Sequence, residues 1–204
     1  MDRYVGKNRV VVTGIGIITP IGIGVDAFWE SAIHGKSGIS MISRFNVESY
    51  PTKIAGEIKN FHPEKYMPGD LADALCRYSQ LGLAAAQMAV RDANLELNSL
   101  NKNKVGISIG VGAETLLYYD EKTAIENNKY TLRIKPPVEN RNIANVISDF
   151  FHFSGQNLVV ATACSSGNQA IGIAKDMIEI GKGLHCIHRP DNGLPQHHKA
   201  AFQD

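Results

Sequence analysis

Residues 158–167 read LVVATACSSG, and this stretch decides how the whole chain is interpreted. The apolar residues at 158–163 predict a short buried strand. The segment 165–180 carries only three charged side chains and predicts a largely buried helix. Cys164 lies between the two, with small residues on both sides. The stretch therefore predicts a sharp strand-to-helix turn with a cysteine at its centre.

A cysteine in this position is a candidate nucleophile. Backbone amides at the start of a helix, together with the helix dipole, stabilise a thiolate. The backbone amide of Cys164 itself is placed to donate a hydrogen bond to a developing oxyanion. A buried structural cysteine is the alternative that spacing alone leaves open.

Strand and helix signals alternate along the rest of the chain. Further strands are expected at residues 10–12, 52–58 and 104–111. Further helices are expected at residues 26–34, 70–94, 114–126 and 141–151. This alternation predicts an α/β fold in which helices cover a mostly parallel sheet.

Composition excludes several classes of function. Hydrophobic residues make up 44% of the 204 residues and charged residues 20%, as in ordinary globular domains. The net charge of +1 gives no overall field for nucleic acid or anionic lipid. The apolar runs are too short to cross a bilayer, and the polar first residues do not resemble a signal peptide. Three widely spaced cysteines favour free thiols and a cytoplasmic location.

The glycines after the first strand do not form a nucleotide site. Gly14 and Gly16 would need a third glycine at position 19 to match the dinucleotide fingerprint, and Thr19 stands there. We expect these two glycines to permit a tight exit from the strand, which should break at residues 13–16.

Three separated segments carry a resemblance to a known family. They are VVVTGIGIITPIG at 10–22, RYSQLGLAAA at 77–86 and ATACSSG at 161–167. In this order and spacing they resemble the β-ketoacyl-[acyl-carrier-protein] synthases, either type II elongating condensing enzymes or polyketide ketosynthases. The resemblance runs from about residue 9 to about residue 182, and Cys164 falls on the acyl-accepting cysteine of the family.

The resemblance implies a thiolase-like α/β fold, of which this chain would form the N-terminal half. It implies a decarboxylative Claisen condensation in fatty-acid or polyketide synthesis, with no metal and no cofactor. Its partner would be acyl carrier protein carrying phosphopantetheine-linked acyl and malonyl groups. Arg133 and Lys135 are candidates for docking that carrier, and the full-length family forms homodimers.

The sequence departs from the family after residue 182. Family members are about twice as long and draw two histidines, a lysine and a phenylalanine gate from a second half that is absent from this sequence. We expect residues 1–182 to be an incomplete ketosynthase N-terminal domain, and 183–204 to be an unrelated, disordered tail produced by a truncation, a frameshift or a fused gene-model end. The tail contains His185, Cys186, His188, His197 and His198. Their spacing matches no common structural zinc site, so we expect no metal there.

Two alternatives remain. The segment from Cys164 through Gln169 and Ala170 also resembles the acylated cysteine of thiolases, although the ATA at 161–163 and the VTGIG at 12–16 favour the synthases. The chain could instead be a non-catalytic half that binds acyl groups or dimerises, and that acts only with a partner chain.

Overall fold

A computed structural model describes residues 9–44, 46–112 and 142–181, together with the backbone of 198–203. The strands are β1 (Val10–Gly16), β2 (Ile18–Thr19), β3 (Gly22–Ile23), β4 (Ile39–Met41), β5 (Ile54–Gly56), β6 (Ile107–Gly110), β7 (Asn157–Val160) and β8 (His198–Gln203). The helices are α1 (Val25–Ile33), α2 (Gly69–Ala74), α3 (Arg77–Asp92), α4 (Ile143–Phe151) and α5 (Ser166–Glu179). Short 3-10 turns lie at Pro63–Lys65, Leu97–Ser99, Lys102–Lys104 and Ala163–Ser165.

The described strands form four two-stranded sheets. Two pairs are parallel, β1 with β8 and β6 with β7, and two are antiparallel, β2 with β3 and β4 with β5. A parallel pair needs a crossover between its strands, and α4 lies in the connection from β6 to β7. The predicted α/β character is therefore confirmed.

The main core lies where α3, α4 and β6 meet. Leu83 of α3 is fully buried, and Ile143 and Ile147 of α4 are 2% exposed. The Asn142 side chain caps the start of α4 by accepting a hydrogen bond from the Asn145 amide at 2.9 Å. This core supports β6 from one side.

Strand β1 is longer than predicted, because it continues through residues 13–16. Gly14 and Gly16 are buried within it. A Cβ at Gly16 would overlap the carbonyl oxygen of Ala85, and a Cβ at Gly14 would overlap that of Ala89. The expectation of a strand exit was wrong, since these glycines instead let the backbone of α3 approach the strand closely.

The predicted long helix at 70–94 is two helices. Leu75 and Cys76 have extended backbone conformations between α2 and α3. The Gln80 side-chain amide donates to the carbonyl oxygens of Ala72 (2.7 Å) and Leu75 (3.2 Å), which satisfies the end of α2. Apolar spacing continues across the break, so periodicity alone does not reveal it.

Helix α5 is less buried than its composition predicted. Its buried residues, Ser166, Ala170, Ala174 and Ile178, recur every four positions and form one face. Away from this face Ile173 is 38% exposed, and Ile180, just after the helix, is 56% exposed. The helix thus presents a second, partly apolar surface that no described residue covers.

Part of the expected disordered tail is a strand. Residues 198–203 form β8, whose register with β1 runs from Val10 opposite His198 to Gly16 opposite Gln203. These six residues pair with β1 through backbone hydrogen bonds, which differs from the expected disorder. The predicted helix at 114–126 lies outside the described residues. The other residues of the tail, 183–197 and 204, lie outside them as well.

Substituting two glycines with alanine should change stability in opposite directions. Gly16→Ala should lower the free energy of unfolding by about 1–3 kcal/mol, because the added methyl group collides with α3. Gly172→Ala should raise it by about 0.5–1 kcal/mol, because Gly172 lies inside α5 with open space around its Cβ position. Urea unfolding followed by circular dichroism measures both variants. A Gly16→Ala protein as stable as the wild type would contradict the close approach of β1 and α3.

Candidate active site

Cys164 lies at the carboxyl end of β7. The strand ends at Val160, three residues earlier than predicted, and the 3-10 turn Ala163–Ser165 leads directly into α5. Cys164 is exposed. The alternative of a buried structural cysteine is therefore wrong, and solvent can reach the residue that carries the thiol.

The turn contains an uncommon backbone conformation. Ala163, immediately before the cysteine, has φ of 53° and lies in the left-handed region. For an L-residue this conformation costs about 1–2 kcal/mol, so neighbouring interactions must hold it. The sharp turn that small neighbours predicted is present, and it carries local strain next to Cys164.

Hydrogen bonds from Ser165 close the turn. Its amide donates to the carbonyl oxygen of Thr162 at 3.3 Å, and its Oγ donates to the same oxygen at 2.9 Å. The Nε2 of Gln169, one turn into α5, donates to Ser165 Oγ at 3.1 Å. The turn that carries Cys164 is thereby tied both to its own start and to the helix.

The first turn of α5 carries no side-chain cap. Ser165 is the N-cap residue, yet its side chain makes no capping hydrogen bond. The opening amides of a helix carry partial positive charge and favour an anion beside them. Cys164 lies just before these amides, and the Ser166 amide already donates to the carbonyl oxygen of Ala163.

Strand β6 fixes the position of this helix turn. A Cβ at Gly110, the last residue of β6, would overlap the backbone of Ser166 and Gly167. The Ser108 hydroxyl of the same strand donates to the carbonyl oxygen of Ala170 at 2.9 Å. The sequence does not predict either contact, because Gly110 and Ser108 lie more than fifty residues before the helix turn that they hold.

A cavity of about 270 Å³ borders the same helix turn. Its walls come from α3, β6, α4 and α5 and are mostly apolar: Ile18, Ile58, Tyr78, Leu81, Gly82, Ala85, Ser108, Ile109, Gly110, Val111, Ile143, Gly167, Ala170 and Ile171. Two lining residues, Gly167 and Ala170, follow shortly after Cys164 in the sequence, but Cys164 itself does not line the cavity. A cavity of this lining accepts a small apolar group.

The other predicted site features stand apart from this arrangement. Arg133 and Lys135 lie outside the described residues. Cys76, the second thiol described, is partly buried at the N-cap of α3, with Sγ 3.4 Å from Ser79 Oγ. Within the described ranges, no cluster of three or more His, Cys, Asp or Glu side chains could hold a metal ion. No helix in those ranges is both long and apolar enough to cross a membrane.

The sequence profile of the β-ketoacyl synthase N-terminal domain matches residues 7–185. The chain belongs to this family. The 3-oxoacyl-[acyl-carrier-protein] synthase 2 of Synechocystis sp. is 33% identical to this β-ketoacyl synthase domain over 186 residues, 88% of the chain and 45% of the relative. The synthase 2 of Vibrio cholerae is 34% identical over 179 residues, 86% of the chain and 43% of the relative. The domain thus spans less than half the length of these curated relatives.

Solved structures agree with this assignment. The ishigamide ketosynthase/chain length factor superposes with a TM-score of 0.67 at 30% identity, covering 86% of this chain and 45% of that one. A type II polyketide synthase acyl-carrier protein in complex with its ketosynthase bound to the hexaketide gives 0.66 at 26% identity, covering 87% and 49%. The predicted thiolase-like α/β fold and the family are both confirmed, and the synthase reading is favoured over a thiolase.

Cys164 should be the more reactive of the two described thiols. Iodoacetamide should alkylate it at least about tenfold faster than Cys76, because Cys164 is exposed and Cys76 is partly buried. Peptide mass spectrometry after timed labelling resolves each cysteine. Equal labelling rates at the two positions would contradict the exposed, accessible thiol.

Proposed function

We propose that this domain supplies the acyl-accepting part of a β-ketoacyl-[acyl-carrier-protein] synthase, with Cys164 as the nucleophile. The observation that carries the proposal is the exposed Cys164 in a strained turn at the uncapped start of α5. Family membership supplies the reaction class, and the geometry of the turn suits that chemistry.

The first half-reaction is a thioester exchange. The thiolate of Cys164 attacks the carbonyl carbon of an acyl group held as a thioester on the phosphopantetheine of acyl carrier protein. A tetrahedral oxyanion forms, the phosphopantetheine thiolate leaves and takes up a proton, and the acyl group remains on Cys164. The Cys164 amide, as donor to the oxyanion, stabilises the transition state as negative charge develops.

The second half-reaction forms the carbon–carbon bond. Malonyl carrier protein loses carbon dioxide, and the resulting carbanion attacks the acyl-cysteine carbonyl. The thiolate of Cys164 then leaves, and the product is a β-ketoacyl chain two carbons longer. The resemblance assigns the polarising histidines of this step to a second half that this sequence does not include. We therefore expect the residues of this domain to carry the acyl transfer, and the condensation to need those histidines as well.

The proposal names a carrier partner and a docking region. A related ketosynthase has been solved in complex with an acyl-carrier protein, which supports a carrier partner for this domain. Arg133 and Lys135 are the docking candidates, since basic side chains complement an acidic carrier. The apolar cavity beside α5 would receive part of the acyl chain. A homodimer and a cytoplasmic location complete the proposal.

Transfer of an acyl group to Cys164 tests the proposal. Incubation with acyl carrier protein bearing a labelled acyl group should add one acyl mass to the peptide containing Cys164. Cys164→Ser should lower transfer by at least about 100-fold, because the thiolate is the attacking group. Cys76→Ser, which changes a thiol away from the turn, is the matched control and should transfer normally. Labelling that survives Cys164→Ser would refute the assignment of the nucleophile.

Exposed apolar side chains favour a second candidate, a half that acts through association with another chain. Trp29 and Ile33 of α1 are 63% and 57% exposed, and Met41 and Ile54 of the β4–β5 hairpin are 59% and 54% exposed. Surfaces of this kind ordinarily mark contacts with a partner. Acyl carrier protein that binds without transferring its acyl group would support this candidate over the enzyme.

A further inference from the structure

The hydroxyl of Ser165 takes no part in the proposed bond changes, yet it has three hydrogen-bonding partners. Ser165 is the last residue of the 3-10 turn, and its hydroxyl makes no capping bond to α5. The hydroxyl donates back to the carbonyl oxygen of Thr162, lies 3.2 Å from Thr162 Oγ1, and accepts from the side chain of Gln169.

These bonds act across the residue that carries the strain. The contact from Ser165 to Thr162 spans Ala163 and Cys164, and the Ser165 amide donates to the same oxygen. By fixing the distance between Thr162 and Ser165, these bonds offset part of the cost of the left-handed conformation of Ala163. Gln169 adds a tie from the turn to the body of α5, since it lies one helical turn further on.

We propose that Ser165 and Gln169 are positioning residues for Cys164. Their hydrogen bonds hold the left-handed turn that exposes the cysteine. This inference rests on the proposed role of Cys164 as the acyl-accepting nucleophile.

The rate of Cys164 alkylation in the full chain tests whether these hydrogen bonds position the cysteine. Ser165→Ala should lower the iodoacetamide rate at Cys164 by about three- to tenfold, the size expected when one hydrogen-bonded link is lost. Ser165→Thr keeps the hydroxyl and should restore at least half of the wild-type rate. Ser154→Ala removes another exposed serine hydroxyl, bonded to Asn103 before β7 begins, and should leave the rate unchanged. Labelling of Cys76 in each sample corrects for reagent activity.

The outcomes are separable from those of the proposed function. A wild-type rate in Ser165→Ala would overturn the positioning role, even if Cys164 accepts acyl groups. Equal losses in Ser165→Ala and Ser165→Thr would overturn it as well, because the hydroxyl would then not be the cause. Failure of the wild-type chain to accept an acyl group, with the alkylation differences intact, would overturn the nucleophile and not the positioning of the thiol.

Discussion

The contact between the end of β6 and the first turn of α5 governs the position of the candidate site. Gly110 has no side chain, so the backbones of Ser166 and Gly167 lie directly against it. The Ser108 hydroxyl holds the next turn of α5 through the carbonyl oxygen of Ala170. Because Cys164 lies two residues before α5, its position follows from where this helix turn is anchored. A side chain at Gly110 would move the helix, and the turn with it.

The same physical device recurs between β1 and α3. Gly14 and Gly16 have no Cβ, so the carbonyl groups of Ala85 and Ala89 can pack against the strand. At both places a strand glycine removes the side-chain layer that ordinarily separates a helix from a sheet. Each glycine gives the unfolded chain more conformational freedom, which lowers stability by about 0.5–1 kcal/mol relative to alanine. In the folded chain it lets the helix pack closely against the strand.

The turn around Cys164 is a balance of small terms. The left-handed Ala163 costs about 1–2 kcal/mol, and a typical hydrogen bond contributes a net 0.5–1.5 kcal/mol. The two bonds from Ser165 to Thr162 are therefore about sufficient to hold the conformation, with the bond from Gln169 as further support. These bonds offset the strain of the turn while Cys164 stays exposed.

Local pattern predicted the turn that carries Cys164, and the resemblance of three segments to the β-ketoacyl synthases selected this cysteine as the nucleophile. An apolar run, a set of small residues and a weakly charged helical segment meet at Cys164 within about twenty residues, so short-range preferences alone place the cysteine in a strand-to-helix turn. The helices at 26–34 and 141–151 were likewise predicted within a few residues of α1 and α4. The exposure of Cys164 and the bonds that hold its turn were not predictable in this way.

Tertiary structure decided the features that depend on residues distant in the chain. The glycines of β1 read as a strand break until Ala85 and Ala89 of α3 are placed beside them. The break between α2 and α3 depends on a side chain, Gln80, that satisfies carbonyl groups of the preceding helix. Residues 198–203 have no apolar periodicity and become a strand only by hydrogen bonding to β1. In each case backbone groups meet partners far outside any local window, and the side-chain pattern of one segment carries no information about such partners.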